Sequence, residues 1–542
     1  MSVTAPLDDN DARDSWLPML VIAMGQMLMS FNVAALPVSM SGMVASFDTQ
    51  PTTVGTAIVL YSLGVSGFIL LGAKLSQRFG AKLFFQIAVG MLAVAMLLMV
   101  VSPTTQIMLA AQALAGMGAA GLVPTLVVLI ANHYRGKQQA EAVGWLGSAR
   151  AIAGVLAFVI VGFVAMINWR LAFALLIVHS VAILVLSRKL KDSAPNLKVK
   201  IDVVGVILAA TAIIFITFGF NNVRNWGLLL ARPAAPTDLL GVSPAPILII
   251  VGIVIGTAFF VWTHRRVARA QTPLLALQVV DSPREWATVI ALFAIVGVEA
   301  AINFSVPLYI QIVQGRSSMA TSIAMMPFML TVFFTAILIV RLYNRFSPRT
   351  IARLAFGLVV VGTIWLAFVA KNDWSVLPVI VGLVTVGLGQ GALVTLLFNV
   401  LVTAAPKELA GDVGSLRGVT QNLAAAVGTA LMGALLVGVL GSLVHAKLTD
   451  NPKFPSEFKQ GELAAELNLD SVNFISNENL KVRLESTSAS LEQVEEAVRI
   501  NAESRLRALK TGFLVLSGIA LLALVPCSWL PAYRPGDLNS TN

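Results

Sequence analysis

The chain has 542 residues, of which 57% are hydrophobic, and its mean hydropathy of +0.85 exceeds what a soluble core could hide. The formal net charge is +10, but lysine and arginine are spread over short connections between apolar runs, which argues against a nucleic-acid-binding patch. The runs are continuous over about 20 residues, which predicts membrane-spanning helices and excludes a β-barrel. A single cysteine, Cys527, permits no intramolecular disulfide.

Fourteen apolar segments predict fourteen transmembrane helices. Their approximate ranges, in chain order, are 17–37, 54–73, 83–101, 106–132, 139–166, 171–187, 202–220, 245–263, 286–312, 320–340, 350–370, 376–403, 415–444 and 511–530. An even number of crossings places both termini on the same side of the membrane. The residues before the first segment include no basic region, so no cleavable signal peptide is expected.

Positive charge is concentrated in alternate connections. The basic connections lie at 74–82, 135–137, 188–200, 265–269 and 341–349, and the intervening short connections hold few lysines or arginines. Because basic loops remain inside the cell, we expect these connections and both termini to be cytoplasmic. The chain is therefore predicted to be a multi-pass protein of the cell's inner, cytoplasmic membrane.

Short similarities recur about 270 residues apart, and they indicate an internal duplication. Residues 72–82 are echoed by 339–349, and Gly116 to Val123 by Gly387 to Val394. The repeat predicts an all-α polytopic fold, with a six-helix bundle in 1–200 and another in 266–542. The excess length between them predicts an inserted helix pair in 201–265.

One long polar segment, 446–510, lies within the second half, and the topology places it outside the cell as a loop. Its later part begins with Ser490 and places Leu491, Val494, Ala497 and Val498 on one side of a predicted capped amphipathic helix. We expect a folded cap or spacer here. A substrate lid or a partner site is the alternative.

Several of these motifs resemble landmarks of the major facilitator superfamily, over about Trp16 to Leu530. They are the loop containing Gly72, Arg78, Gly80 and Lys82, its echo with Arg345 and Arg349, and the Gly116-x-Gly118 pair. The fourteen-segment count, 307–311 and 169–173 resemble the superfamily's fourteen-helix drug:proton antiporter branch. That resemblance implies two bundles that rock about a central cavity, with export usually driven by inward proton flow.

The resemblance also implies a cytoplasmic gate formed by Gly72, Arg78, Gly80, Lys82, Arg345 and Arg349. The loop departs from the family pattern at two positions, because Lys74 replaces a leucine and Gln77 replaces an aspartate. In the family that aspartate latches the cytoplasmic side, so we expect one gate contact to be weakened. Arg78 and Lys82 suit helix C-terminal carbonyls, or serve only as topology signals.

Three features that the resemblance links to coupling are altered. Gln112 stands where the family has a proton-coupling arginine in the fourth helix, and the fifth helix, over 150–162, lacks the antiporter proline. The first helix lacks the aspartate common in drug exporters of this branch. These departures argue against ordinary antiport of cationic drugs but leave the predicted fold unchanged.

Two ionisable residues lie deep in apolar segments, where a charge costs roughly 2.5–3.5 kcal/mol on insertion scales. Glu299 is near the middle of segment 286–312, one turn before Asn303, and is the candidate proton-coupling residue. A hydrogen-bonded glutamate that only joins helices is the alternative. Arg150 follows small residues that favour contact with another helix, so it pairs with Glu299 or another acceptor, or binds an anionic substrate group.

Four further polar residues in apolar segments are Asn32, Gln112, Gln390 and Gln421. By family analogy they join Arg150 and Asn303 as candidates for the substrate cavity, and helix packing is the alternative role for each. Arg417 lies one turn before Gln421 near a predicted cytoplasmic helix end, where we expect its side chain to snorkel to the surface.

The sequence therefore predicts a secondary transporter that exports amphipathic or hydrophobic small molecules with proton coupling. One alternative is an exporter or flippase of organic anions, fatty acids or lipids with atypical coupling, and another is a non-transporting ligand sensor. A phosphate-binding loop and a metal-spaced His/Cys cluster are both missing, so neither an enzyme nor a cofactor is expected. The expected partners are the substrate, protons and the lipid bilayer, with no indication of oligomeric state.

Overall fold

The computed structural model describes most of the chain, and every regular element within those residues is helical. The described ranges are 15–49, 51–164, 167–192, 194–232, 235–237, 241–310, 318–372, 376–449, 477–485 and 490–532. Within them, fourteen helices are long and apolar enough to cross a membrane, and they follow the predicted segments in order. The fourteen-helix prediction is confirmed.

The helices, numbered in chain order, extend a few residues beyond most of the predicted segments. They are α1 Leu17–Val38, α2 Met40–Phe47, α3 Pro51–Phe79, α4 Ala81–Val101, α5 Thr105–His133, α6 Gly136–Val164, α7 Trp169–Ser187, α8 Val203–Trp226, α9 Pro244–Ala268, α10 Pro283–Leu308, α11 Ser318–Leu338, α12 Pro348–Val369, α13 Val376–Ala404, α14 Ala410–Thr449, α15 Asn477–Glu485, α16 Leu491–Leu522 and α17 Leu524–Cys527. We call the end of the molecule where α3 meets α4 the basic-loop end.

Several helices begin at side chains that satisfy the free N–H groups of the first turn. Ser282 and Glu285 form a reciprocal capping box at the start of α10, which carries Glu299. Ser347 caps α12 without a capping box, because its hydroxyl accepts a hydrogen bond from the Thr350 N–H. The helix that carries Glu299 therefore has a defined start.

Two groups of helices pack mainly among themselves: α1 and α3–α7 form the first group, and α10–α14 with α16 form the second. The groups meet where α6 packs against α11 and where α3 and α5 pack against α14. Glycines permit this approach, since a Cβ on Gly144 would lie 2.9 Å from the Ala336 carbonyl, and one on Gly414 would lie 2.9 Å from Pro124 Cα.

Helices α8 and α9 pack closely against each other, and α8 also contacts α3 and α14. A Cβ on Gly219 or Gly252 would lie 2.7 Å from an isoleucine of the facing helix. Asp202 caps α8 and accepts a hydrogen bond from Trp262, and its carboxylate lies 3.3 Å from Arg266 Nε. Helices α8 and α9 are therefore held together by their own contacts, and α8 lies at an interface between the two helix groups.

Helices α14 and α16 are longer than a bilayer requires. The 40 residues of α14 extend about 60 Å at 1.5 Å per residue, about twice the hydrocarbon thickness. Beyond the apolar parts, Lys447 Nζ of α14 lies 2.7 Å from the Glu503 carboxylate of α16. In the described part of the predicted loop 446–510, helices occupy both ends: α14 continues to Thr449, and α15 and the first part of α16 lie at the other end.

The predicted amphipathic helix is present as the first part of α16. Ser490 and Gln493 form the capping box, and Val494 packs with Leu480 and Leu484 of α15. Ala497 and Val498 pack against the same cluster, whereas Leu491, at the first position of the helix, is 69% exposed. The rest of the polar segment, 450–476 and 486–489, lies outside the described residues.

Candidate functional site

A partly buried polar contact joins the two helix groups near the middle of α6 and α10. Arg150 of α6 places one guanidinium nitrogen 3.3 Å from Glu299 Oε1 of α10. The other carboxylate oxygen accepts a 2.7 Å hydrogen bond from Gln390 Nε2 of α13. The Glu299 side chain is 14% exposed and that of Arg150 is 39% exposed, so the arginine has access to space beyond the carboxylate.

Close helix packing fixes this contact. Gln390 lies between two glycines, and a Cβ on Gly389 would lie 2.5 Å from the Ala355 carbonyl of α12. One on Gly391 would lie 2.6 Å from the Val332 carbonyl of α11. Gln390 is therefore held at the point where three helices meet, and its amide has little freedom to leave Glu299.

A second arginine, Arg417 of α14, lies beside this contact. Its guanidinium carbon is 3.9 Å from the centre of the Phe398 ring, and the charges of Arg150 and Glu299 both act on it. Arg417 is 5% exposed, so the prediction that it snorkels to the surface is wrong. The sequence does not show that Phe398 of a neighbouring helix covers the Arg417 guanidinium. Arg417 was therefore not predicted to be part of the site.

Three other predicted cavity residues keep buried polar atoms without a hydrogen-bond partner among the described residues. These atoms are Asn303 Oδ1, Gln390 Oε1 and Gln421 Nε2. A buried polar group without a partner is costly, so each of these atoms gains when a bound molecule supplies a hydrogen-bond partner. Together with the two arginines they provide donors and acceptors for a bound molecule.

The remaining two cavity candidates, Asn32 of α1 and Gln112 of α5, bind each other. Their amides exchange hydrogen bonds of 3.1 Å and 3.3 Å, and both side chains are fully buried within the first group. The described hydrogen bonds of the Gln112 side chain go to Asn32. The structure thus places this pair in helix packing between α1 and α5.

The predicted gate residues of the first loop contact their own helix group. Arg78 donates a 3.2 Å hydrogen bond to the Val199 carbonyl, and Lys82 donates to the Arg188 carbonyl at 3.0 Å. Gly72 lies against α5, where a Cβ would be 2.5 Å from the Ala120 carbonyl, and Gly80 turns the chain into α4 with φ +90°. These residues build the loop and secure the segment that follows α7.

The echoed gate residues of the second half also contact their own group. Arg345 follows the short helical turn Ile339–Asn344. Arg349 Nε donates a 3.1 Å hydrogen bond to the Leu530 carbonyl, next to the end of α17. The described hydrogen bonds of Arg349 thus fasten the start of α12 to the chain after the last spanning helix.

A polar connection across the groups at the basic-loop end comes from the two positions that depart from the motif. Lys74 Nζ of α3 lies 2.9 Å and 3.1 Å from the two carboxylate oxygens of Asp412 in α14. Gln77 donates a 3.2 Å hydrogen bond to the same carboxylate, and the Ala276 N–H donates at 3.2 Å. From the missing motif aspartate we expected a weakened gate contact. In the structure, Asp412 provides the carboxylate of a contact at this end.

Among the described residues, two ion pairs connect the helix groups at different depths: Arg150 with Glu299 in the apolar layer, and Lys74 with Asp412 at the basic-loop end. Separation of the groups at either depth requires that the pair there breaks. The central pair includes a group that can take up a proton, surrounded by polar atoms that remain available. This arrangement is better suited to binding and moving a solute than to catalysing a reaction.

Comparison with known proteins agrees with this geometry. The sequence model of the Major Facilitator Superfamily matches residues 22–429. Among curated relatives, the Multidrug efflux pump LfrA of Mycolicibacterium smegmatis is 23% identical, with coverage of 79% of this chain and 82% of that protein. The Probable actinorhodin transporter of Streptomyces coelicolor is 25% identical, with coverage of 80% and 75%.

Solved structures share the fold at low sequence identity. The human organic anion transporter MFSD10 (TETRAN) superposes with a TM-score of 0.57 at 12% identity, covering 94% of this chain and 99% of that one. The proton:xylose symporter XylE superposes with a TM-score of 0.56 at 11% identity, covering 97% and 98%. With the family match over most of its length, the chain belongs to the major facilitator superfamily and is a multi-pass membrane transporter, not an enzyme.

Proposed function

We propose that this transporter exports amphipathic small molecules by alternating access, and that protonation of Glu299 controls the cycle. The observation that carries the proposal is the Arg150–Glu299–Gln390 contact, which connects α6 of the first group with α10 and α13 of the second. The curated relatives support export as the direction of transport, because one is named a multidrug efflux pump and another a probable actinorhodin transporter.

The ionised Glu299 carboxylate holds Arg150 by charge and Gln390 by a hydrogen bond. A proton on Glu299 removes that charge, so the guanidinium loses its counterion while the hydrogen bond to Gln390 survives. The link between the groups then weakens at the depth where a solute would bind. Proton binding and movement of the groups are thereby joined in one side chain.

The contacts between groups close the site toward the basic-loop end. Ser148 donates a 3.0 Å hydrogen bond to the Phe333 carbonyl, and Asn399 of α13 lies 3.5 Å from the Ala140 carbonyl of α6. On the other side of Arg150, a Cβ on Gly154 would meet no atom within 4 Å. If basic loops are cytoplasmic, as the charge pattern predicts, these contacts close the site toward the cytoplasm.

Proteoliposomes loaded with a pH-sensitive dye test the proposal. A panel of cationic tetraphenylphosphonium, neutral phenylnaphthylamine and anionic anilinonaphthalene sulfonate is added to wild-type and Glu299→Gln protein. We expect at least one compound to be transported with proton movement in the wild type, and proton movement to vanish in the variant. Binding without flux for every compound would replace the exporter with the ligand-sensor alternative. Full proton movement in Glu299→Gln would exclude Glu299 as the controlling group.

A further inference from the structure

The central site contains more positive than negative charge. Arg150 lies 3.3 Å from the Glu299 carboxylate, and Arg417 lies near enough for the charges of both residues to act on it. With Glu299 ionised, these three residues sum to one net positive charge within the apolar layer. An uncompensated charge is costly there, so a bound anion would stabilise the site by neutralising its net positive charge.

Arg417 has a buried donor that no described residue accepts. Its face packs on the Phe398 ring, and its Nε has no hydrogen-bond acceptor among the described residues although the residue is 5% exposed. A cation–π contact occupies the face of a guanidinium and leaves the N–H groups at its edge free. Those N–H groups have the geometry to bind the oxygens of a carboxylate, sulfonate or phosphate.

The neighbouring amides extend this donor set. Gln421 lies one turn after Arg417, and its Nε2 is buried without a partner among the described residues. Arg150 has one described contact to Glu299, at 3.3 Å, and its side chain is 39% exposed. Donors from α6 and α14 therefore remain available near the Glu299 carboxylate. The two acceptors of the site without a described partner, Asn303 Oδ1 and Gln390 Oε1, are neutral amide oxygens, so the charges of the arginines favour an anionic, acceptor-rich ligand over a cationic one.

We propose that the substrate of this site is an amphiphile with an oxyanion head group, and that Arg417 and Arg150 bind that head group. This inference rests on the proposed transport function and names its substrate class. The head group competes with the Glu299 carboxylate for Arg150, so loss of the negative charge at Glu299 strengthens anion binding. A cationic amphiphile would have to enter against two arginines.

A matched pair of probes isolates the head group. Anilinonaphthalene sulfonate and phenylnaphthylamine share one aromatic body and differ by the sulfonate. Binding of each is measured by equilibrium dialysis against protein in nanodiscs, with empty nanodiscs subtracted. We expect the sulfonate to bind more tightly than the neutral probe, Arg417→Gln to weaken the sulfonate about tenfold or more, and the neutral probe to be unaffected. Arg265→Gln, at an exposed position, is the matched control.

Glu299→Gln provides a second readout that does not depend on the folding of an arginine variant, because it predicts a gain. Its affinity for the sulfonate should rise while that for the neutral probe stays the same. Equal affinities of the two probes in the wild type would overturn the anion site. So would a parallel loss of both probes in Arg417→Gln, or a weaker sulfonate affinity in Glu299→Gln.

Transport assays of the same probes separate the two proposals. Sulfonate binding that depends on Arg417 but produces no flux would retain the anion site and remove the exporter. Flux of the neutral or cationic probe with no preference for the sulfonate would retain the exporter and remove the anion site.

Discussion

Lys74 and Asp412 form a buried ion pair between the two helix groups, with Nζ 2.9 Å from the nearer carboxylate oxygen and the two side chains 4% and 0% exposed. Asp412 lies in the first turn of α14, where the helix dipole also favours a negative charge. Because opening at the basic-loop end separates α3 from α14, it must break this pair. We infer that the pair acts as a latch at that end.

Removal of one partner should therefore favour the state open at the basic-loop end. In Lys74→Met, Asp412 keeps its charge without a counterion in the closed state, which costs about 3–5 kcal/mol for a buried pair. The reporter is Val127→Cys, because Val127 is buried where α5 packs against Gly414. The one native thiol, Cys527, is fully buried and contributes little background reaction.

We expect an impermeant thiol reagent to modify the Val127→Cys reporter about tenfold or more faster in Lys74→Met than in the parent. Lys82→Met is the matched control, since Lys82 pairs with the 91% exposed Asp192 of its own helix group. The charge-exchanged double variant Lys74→Asp with Asp412→Lys should recover part of the slow rate. Equal rates in Lys74→Met and Lys82→Met would remove the latch.

Glu299→Gln tests proton control at the centre. Glutamine keeps the size and the hydrogen bond to Gln390 but cannot ionise, so substrate-triggered proton movement should fall to background while protein yield and membrane insertion are retained. Glu408→Gln, at an exposed position near the start of α14, is the control and should behave as wild type. The measurement is dye fluorescence in proteoliposomes, normalised to inserted protein.

Arg150 is predicted to act mainly through its charge. Its described contact to Glu299 is a single 3.3 Å hydrogen bond rather than a two-point one, so a lysine ammonium can replace it. Arg150→Lys should keep most transport, and Arg150→Gln should lose about tenfold, which is the effect of roughly 1.4 kcal/mol. That cost is below the buried-pair range because the Arg150 side chain is 39% exposed. Equal losses in both variants would instead indicate a geometric requirement.

The parts of this structure that follow local sequence rules were predictable. Continuous apolar runs located the spanning helices, and the Ser490 capping box located the start of α16. The continuity of that polar helix with the last apolar segment was not predicted, because a hydropathy pattern distinguishes polar from apolar residues even where both belong to one helix. Glu299 and Arg150 were identified because a charge within an apolar run is visible without any knowledge of its partner.

Two other contacts between distant residues were not predicted, although the pairing of Arg150 with Glu299 was among the expected alternatives. Lys74 and Asp412 are 338 positions apart, and motif comparison registered only that an expected aspartate was missing. Likewise, the burial of Arg417 depends on Phe398 of a different helix. In both cases the residue type was visible, but its role depends on what the tertiary structure places against it.

The close contact between α10 and α14 is predicted to depend on Gly428. A Cβ at this position would lie 2.2 Å from the Gly297 carbonyl oxygen and 2.8 Å from Gly297 Cα, and backbone atoms cannot move aside as a flexible side chain can. Gly428→Ala should therefore destabilise the protein by about 1–3 kcal/mol, as overpacking does. Because α10 carries Glu299, transport should fall as well.

Gly438, ten positions later in α14, is the matched control. A Cβ there would meet no atom within 4 Å, so Gly438→Ala should leave stability unchanged or raise it by up to about 1 kcal/mol through better helix propensity. Thermal unfolding of both variants in detergent, followed by tryptophan fluorescence, gives the comparison. A lower midpoint for Gly428→Ala alone is expected. Similar midpoints for the two variants would mean that α10 and α14 can separate at Gly428 without loss of stability.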